Sequence, residues 1–219
     1  MKGRDGDLWI REIAQLPPEK LVDALSYAGF SGIYINRMGY ADQASELEDA
    51  FAVILEEAPL TNADQTLLFF PLTSYAAELR AHQTEDAWRI AKEKTLCPVR
   101  ARFGAEFSYP EQQGDDTFRW SAPEASLVIE NDLAFPRRVY LKFDGRTIGP
   151  RSATLSVEGT IASGEYSIST ESNPIVWEGM LPPGKHTLRF SCNAPKIKAH
   201  FAPYQVGFQM YNFSIKESD

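Results

Sequence analysis

In the run Asn36-Arg37-Met38-Gly39-Tyr40 a guanidinium stands between an amide and a phenol, directly behind the strand-like apolar run Gly32-Ile33-Tyr34-Ile35. Open α/β sheets hold ligands beyond the carboxyl ends of their strands. Arg37 there can grip a phosphate or carboxylate with two parallel hydrogen bonds, while Asn36 and Tyr40 add neutral ones. The competing reading is a structural turn, with Arg37 paired to a local acid and Tyr40 packed on the next helix. A second constellation is aromatic. In Phe118-Arg119-Trp120 strand alternation sets Phe118 and Trp120 on one face and Arg119 on the other. Trp177 and Tyr166 fall in or near other strands, and Tyr204 in a turn-rich stretch. An exposed ring beside polar groups suits a pyranose, whose apolar face stacks while its hydroxyls take side-chain hydrogen bonds. A tryptophan on a strand also serves as core. The candidate ligand-binding residues are therefore Asn36, Arg37, Tyr40, Arg119, Trp120 and Trp177.

Sharper signatures are missing. The sequence has no Walker loop, GxGxxG, HExxH, GxSxG or EF-hand loop. Gly29-Phe30-Ser31-Gly32 approaches a nucleophile elbow, but its second glycine comes one residue early, so it reads as a helix cap followed by a strand entry. His82, His186 and His200 are far apart in sequence, and none has a second histidine at metal-ligand spacing. Cys97 and Cys192 fit neither CxxC nor a Cys/His pattern, which leaves a long-range bridge or two free thiols. Asn212-Phe213-Ser214 matches a glycosylation acceptor but falls on an expected strand. No metal and no cofactor are implied.

The elements that position these residues come from a chain of 219 residues with 43% hydrophobic and 24% charged content, an ordinary globular composition. The net charge is −8, with 10 basic against 16 acidic residues in positions 1–100 and 12 against 14 thereafter. An acidic chain with no basic run lacks the footprint of a nucleic-acid partner or of an anionic membrane surface. Leu67 to Leu72 is among the longest apolar stretches, far below the roughly 20 residues of a bilayer span.

The first part reads as an α/β module. Pro17-Pro18-Glu19 opens a helix carrying Leu21, Val22, Leu25 and Ala28, with Gly29 at its end. Gly32 to Asn36 is a strand, Asp42 to Glu57 a helix, and Thr66 to Leu72 a second strand. That αβαβ order predicts a parallel or mixed sheet with covering helices. Ser74 and Thr84 are N-cap candidates for one long or two short helices over 75–94, a segment linking the halves. After Pro98 come short alternating runs: 125–130, 138–143, 153–157, 175–177, 186–191 and 206–215. Turn signals stand at Asn131-Asp132, Asp144-Gly145, Glu158-Gly159 and Pro182-Pro183-Gly184. The expected fold is a two-part α+β chain, an α/β module over 1–97 followed by an antiparallel β-sandwich over 98–219. The sandwich is of the jelly-roll or carbohydrate-binding-module kind.

In these residues the chain resembles the extracytoplasmic C-terminal region of large bacterial membrane proteins of cell-surface glycan assembly, sugar or phosphoglycerol transferases. The resemblance rests on Met1-Lys2-Gly3-Arg4 before an acidic helix start, on Gly29 through Tyr40, on Phe69-Phe70-Pro71-Leu72, and in the second part on Arg119-Trp120, Pro183-Gly184-Lys185-His186 and Gly207-Phe208 before Tyr211-Asn212-Phe213. Asn36 stands where the resembled pattern has an acid. The resemblance implies that Met1 is not a natural start, that transmembrane helices and one more strand lie upstream, and that the compartment is periplasmic. There a Cys97–Cys192 bridge is more favoured.

The expected function is non-catalytic. A soluble accessory region binds a glycan or a lipid-linked sugar and has as its other partner the upstream transmembrane region of the same protein. One alternative is a glycoside hydrolase or transferase with paired carboxylates drawn from Asp5, Asp7 and Asp42, which need about 5 to 9.5 Å between them. Another is a structural protein-interaction module.

Overall fold

Caps and spacing account for the elements of the first part. Helix α1 spans Asp5–Ile13 and α2 spans Pro18–Ala28. Proline suits the first turn of α2, where its missing N–H has no partner to lose. Gly29 ends the helix at φ 87, with its N–H on Ser26 O at 3.1 Å and that of Phe30 on Leu25 O at 3.0 Å. Glycine takes this left-handed conformation without a Cβ clash. Next come strand β1 (Gly32–Asn36), a single 3-10 turn (Arg37–Gly39), α3 (Ser45–Leu55), β2 (Leu60–Thr61), β3 (Leu67–Pro71), α4 (Thr73–Ala81) and α5 (Glu85–Leu96). The 75–94 segment is thus two helices. Thr84 Oγ1 accepts from Ala87 N at 3.2 Å and caps the second, whereas Ser74 lies inside the first, which starts from Leu72.

The computed structural model describes residues 5–195, 197–198 and 205–217, and the chain divides into two compact units, Met1–Leu96 and Cys97–Asp219. In the first unit the expected parallel or mixed sheet is corrected. The order is β1-β3-β2, and both pairings are antiparallel. β1 and β2 do run in the same direction with α3 between them, but the short strand β2, which has no clear sequence signal, lies at the far edge. A tight turn over 62–66 then feeds β3 into the gap, so a split βαβ unit results. Asn62 holds that turn, accepting from Leu67 N at 2.9 Å and donating to Thr66 Oγ1 at 3.1 Å. Ile35, Leu68 and Phe70 face the core with Val22, Leu25 and Phe51. On the opposite face Tyr34, Phe69 and Leu60 lie in cross-strand register, with Tyr34 62% and Leu60 61% exposed.

The second unit is an antiparallel β-sandwich. Its strands are β4 (Arg100–Phe103), β5 (Glu111–Gln113), β6 (Asp116–Ser121), β7 (Glu124–Asn131), β8 (Arg137–Arg146), β9 (Ala153–Glu158), β10 (Gly164–Ile168), β11 (Pro174–Leu181), β12 (Gly184–Cys192), β13 (Ile197–Lys198), β14 (Gln205–Val206) and β15 (Phe208–Glu217). One sheet has the order β10-β9-β12-β7-β4 and the other β11-β8-β15-β6-β5, with β13-β14 as a small ribbon. Period-two alternation drives this packing. Leu127, Ile129, Leu155, Leu188 and Phe190 of the first sheet meet Val139, Leu141, Phe143 and Phe208 of the second. Truncating one such buried ring, Phe190 for instance, costs about 3–5 kcal/mol.

Two sequence expectations change here. Asp144-Gly145, expected as a turn, lies inside β8. Its glycine serves close approach, because a Cβ on Gly145 would stand 2.9 Å from Ile168 Cγ2 and 3.4 Å from Leu155 Cδ2. Asn212 (φ 48) breaks the ladder of β15, shifting its register against β8 between Tyr211 and Ser214. The extra residue is a β-bulge, and it re-aims the side chains around it. Asn212 there accepts from Thr117 N at 3.0 Å and donates to Asp116 Oδ1 at 2.7 Å.

Candidate functional site

The Asn36–Tyr40 constellation is a self-contained turn. Asn36 Oδ1 accepts from Met38 N at 3.0 Å and caps the 3-10 turn, whose last bond runs from Tyr40 N to Arg37 O at 3.1 Å. Arg37 Nη2 pairs with Glu48 Oε2 on α3 at 2.5 Å, so the guanidinium already has a local carboxylate. Tyr40 is exposed. Asp42 caps α3, accepting from Ala44 N at 3.0 Å, Glu46 N at 3.2 Å and Ser45 Oγ at 3.3 Å. The Glu46 N–H bond is the main reason its carboxyl is held below the usual range. Of the three acids considered for bond cleavage, the side chains of Asp5 and Asp7 lie outside the described residues.

Other candidates have structural partners. His82 Nδ1 lies 2.9 Å from Glu78 O, and His186 lies between Pro182 O at 3.0 Å and Thr160 Oγ1 at 3.3 Å. His200 and Tyr204 lie outside the described residues. Cys97 and Cys192 are free, and burial pushes the Cys192 thiol up. Trp177 and Tyr166 pack against the sandwich core. Trp177 is opposite the buried Leu141 and lies along Gly179, where a Cβ would stand 2.5 Å from its ring.

The run 118–120 divides between the two sides of the second sheet. Arg119 turns toward the first sheet, with its guanidinium 4.2 Å from the centre of the Phe103 ring and Nη1 on Ser108 O at 2.6 Å. Burial lowers the pKa of this guanidinium. Phe118 and the half-buried Trp120 lie on the outer side, ring centres 5.8 Å apart and edge to face. Three strands build that outer side. Register places Gln209 of β15 opposite both Trp120 of β6 and Arg146 of β8, and Tyr211 opposite both Phe118 and Asp144.

One row across the strands is therefore indole, amide and guanidinium, and the row beside it is two rings and a carboxylate. Neighbouring strands are about 4.8 Å apart, so the first row spans roughly 10 Å. Phe118 and Tyr211 stack at 4.9 Å with 18° between their planes, and Arg146 covers the other face of Tyr211 at 3.9 Å. This cation–π contact holds the guanidinium over the ring.

Its hydrogen-bonding capacity is open. Arg146 Nη2 is 3.8 Å from Asp116 Oδ2 and 3.9 Å from Asp144 Oδ2, beyond hydrogen-bond reach, and its buried Nε has no partner. Asp144 is 9% exposed and accepts no hydrogen bond among the described residues. The Arg146 side chain is 21% exposed, but its Nε is buried, and a buried donor without a hydrogen bond is costly unless something completes it. Sequence reasoning found Trp120 of this group but missed Arg146, Asp144, Gln209 and Asp116. The Asp-Gly pair suggested a turn, and the period-two pattern of β8 was the only signal that pointed the other way.

No family model matches the sequence, and no curated protein matches it. Among solved structures, the chain is similar to a family 4 carbohydrate-binding module, with TM-score 0.31 and 7% identity over 56% of this chain and 79% of that one. It is similar to a family 35 module from Cellvibrio japonicus at TM-score 0.28 and 11% identity, over 56% and 90% of the two chains. A family 36 module in complex with calcium and xylotriose gives TM-score 0.26 and 10% identity, over 52% and 94%. At these values the likeness carries no argument, and the functional reading rests on the residues above.

Proposed function

We propose that the chain is a non-catalytic module that binds carbohydrate on the outer face of the second sheet of its sandwich. The observation that carries this reading is the cross-strand row Trp120–Gln209–Arg146, with Asp144 beside it. Ring, amide, guanidinium and carboxylate match what a sugar offers, an apolar face bordered by hydroxyls that both donate and accept. The groups sit on strands of a packed sandwich, so their spacing is set before a ligand arrives. Asn36, Arg37 and Asp42 are engaged within their own turn and helix cap, which supports assigning recognition to the sandwich rather than to the first unit.

The resemblance read from the sequence supports a wider setting. In it this region serves a membrane-bound glycan or phosphoglycerol transferase on the extracytoplasmic side of a bacterial inner membrane. Its partners there are a glycan or lipid-linked sugar and a transmembrane region of the same protein. Among the described residues no helix is long and apolar enough to cross a membrane.

Saturation-transfer NMR of the full chain with a panel of cell-surface polysaccharides tests the binding reading. Transfer to sugar protons is expected, and Trp120→Ala is expected to weaken it at least about tenfold while the chain still melts cooperatively. No transfer from any glycan, or transfer unchanged in Trp120→Ala, overturns the assignment to this face.

A further inference from the structure

We infer that this face selects neutral sugars bearing adjacent hydroxyls and rejects sugars carrying a carboxylate or phosphate. The inference rests on the carbohydrate-binding reading of the face and adds the chemical class of the ligand. It comes from two gaps beside one nitrogen. Arg146 Nη2 has two hydrogens, and a carboxylate oxygen lies across each gap, Asp116 Oδ2 at 3.8 Å and Asp144 Oδ2 at 3.9 Å. An oxygen about 2.8 Å from both sides of such a gap makes a good hydrogen bond to each.

The group placed there must accept from the guanidinium and donate to the carboxylate. A hydroxyl does both, and two neighbouring hydroxyls of a pyranose complete both gaps. A carboxylate or phosphate oxygen accepts from Arg146 but has no hydrogen for the aspartates. It would leave Asp144 buried without a donor and bring a third negative charge beside two others. One guanidinium against two carboxylates gives the site a net negative charge, so the fork that elsewhere suits anions is here outnumbered. Gln209, between Arg146 and Trp120, can donate to or accept from a further hydroxyl.

Matched pairs of polymers test this with the full chain: galactan against polygalacturonate, and mannan against polymannuronate, by calorimetry at low ionic strength. At least one neutral member is expected to bind, and its acidic counterpart at least about tenfold more weakly. Asp116→Asn, at a partly exposed position, is expected to narrow that ratio severalfold, and Asp144→Asn to narrow it further, with melting curves confirming that each variant is folded. Equal or stronger binding of the acidic members overturns the inference but leaves carbohydrate binding standing, as does a ratio unmoved in a folded Asp116→Asn chain. Binding of neither class overturns both.

Discussion

The two outer faces of the sandwich are built on strands of similar length yet show opposite uses of charge. On the first sheet the outward positions of β7, β9 and β12 carry, apart from Val128, hydroxyls, acids and bases, and no ring. Its buried carboxylate is fully provided for. Glu130, 4% exposed, accepts from Arg102 Nε at 3.0 Å and lies 3.3 Å from Lys185 Nζ. Burial alone would raise its pKa, but those two cations outweigh burial and hold it below the usual range. The depression over this face, about 400 Å³, is lined by residues such as Ser126, Ser156, Arg189 and Ser191. On the outer side of the second sheet rings gather, and Arg146 Nη2 stands just out of hydrogen-bond reach of Asp116 and Asp144. Completed charge networks belong to stability. On the reading proposed above, the incomplete one beside a ring serves recognition.

The largest difference is expected between two arginines of β8. Arg137 is buried, bonded to Glu217 and to Cys97 O at 2.5 Å, whereas the side chain of Arg146 makes no hydrogen bond among the described residues. Arg137→Ala is expected to cost about 3–5 kcal/mol, the scale of breaking an ion pair whose arginine is buried. Urea unfolding measures it. Next comes Glu130→Gln, expected to cost about 1.5–3 kcal/mol near neutral pH through two lost charge-assisted bonds. Because the folded pKa of Glu130 lies below its unfolded value, its contribution is present above the unfolded value and fades as pH falls through the folded one. Unfolding free energy followed from pH 6 down to pH 3, about the carboxylate range, should therefore drop less in Glu130→Gln than in the natural sequence.

Arg146→Gln is expected to cost only about 0.5–2 kcal/mol, the scale of its contact with Tyr211, while removing glycan binding. A large loss of stability with binding retained would reverse the roles given to the two arginines. The smallest effect is expected on the first face. Ser156→Ala is predicted to change stability by no more than about 0.5 kcal/mol and to leave binding as it was.

Much of the scaffold is legible in the sequence because its signals are local. Val139, Leu141 and Phe143 alternate, Pro182-Pro183-Gly184 turns the chain between β11 and β12, and Pro18 and Gly29 bracket α2. Short strands escaped, since the two residues of β2 and the three of β5 hold no full period. The proposed binding row escaped for a different reason. Trp120, Gln209 and Arg146 meet only through the pairing of β6, β15 and β8, and register between strands that far apart in the chain is fixed by the whole sandwich rather than by any local run. Arg37 was visible for the opposite reason: a guanidinium after a strand draws attention, but Glu48, only eleven residues away, pairs with its Nη2.

The most direct measurement is a titration of the isotope-labelled full chain with a neutral cell-surface polysaccharide, read residue by residue. The account predicts that the Trp120 indole, the Gln209 amide and the Arg146 guanidinium signals move together on addition of the glycan. Movement confined to the Arg189 side of the sandwich, or no movement with any glycan, would contradict it.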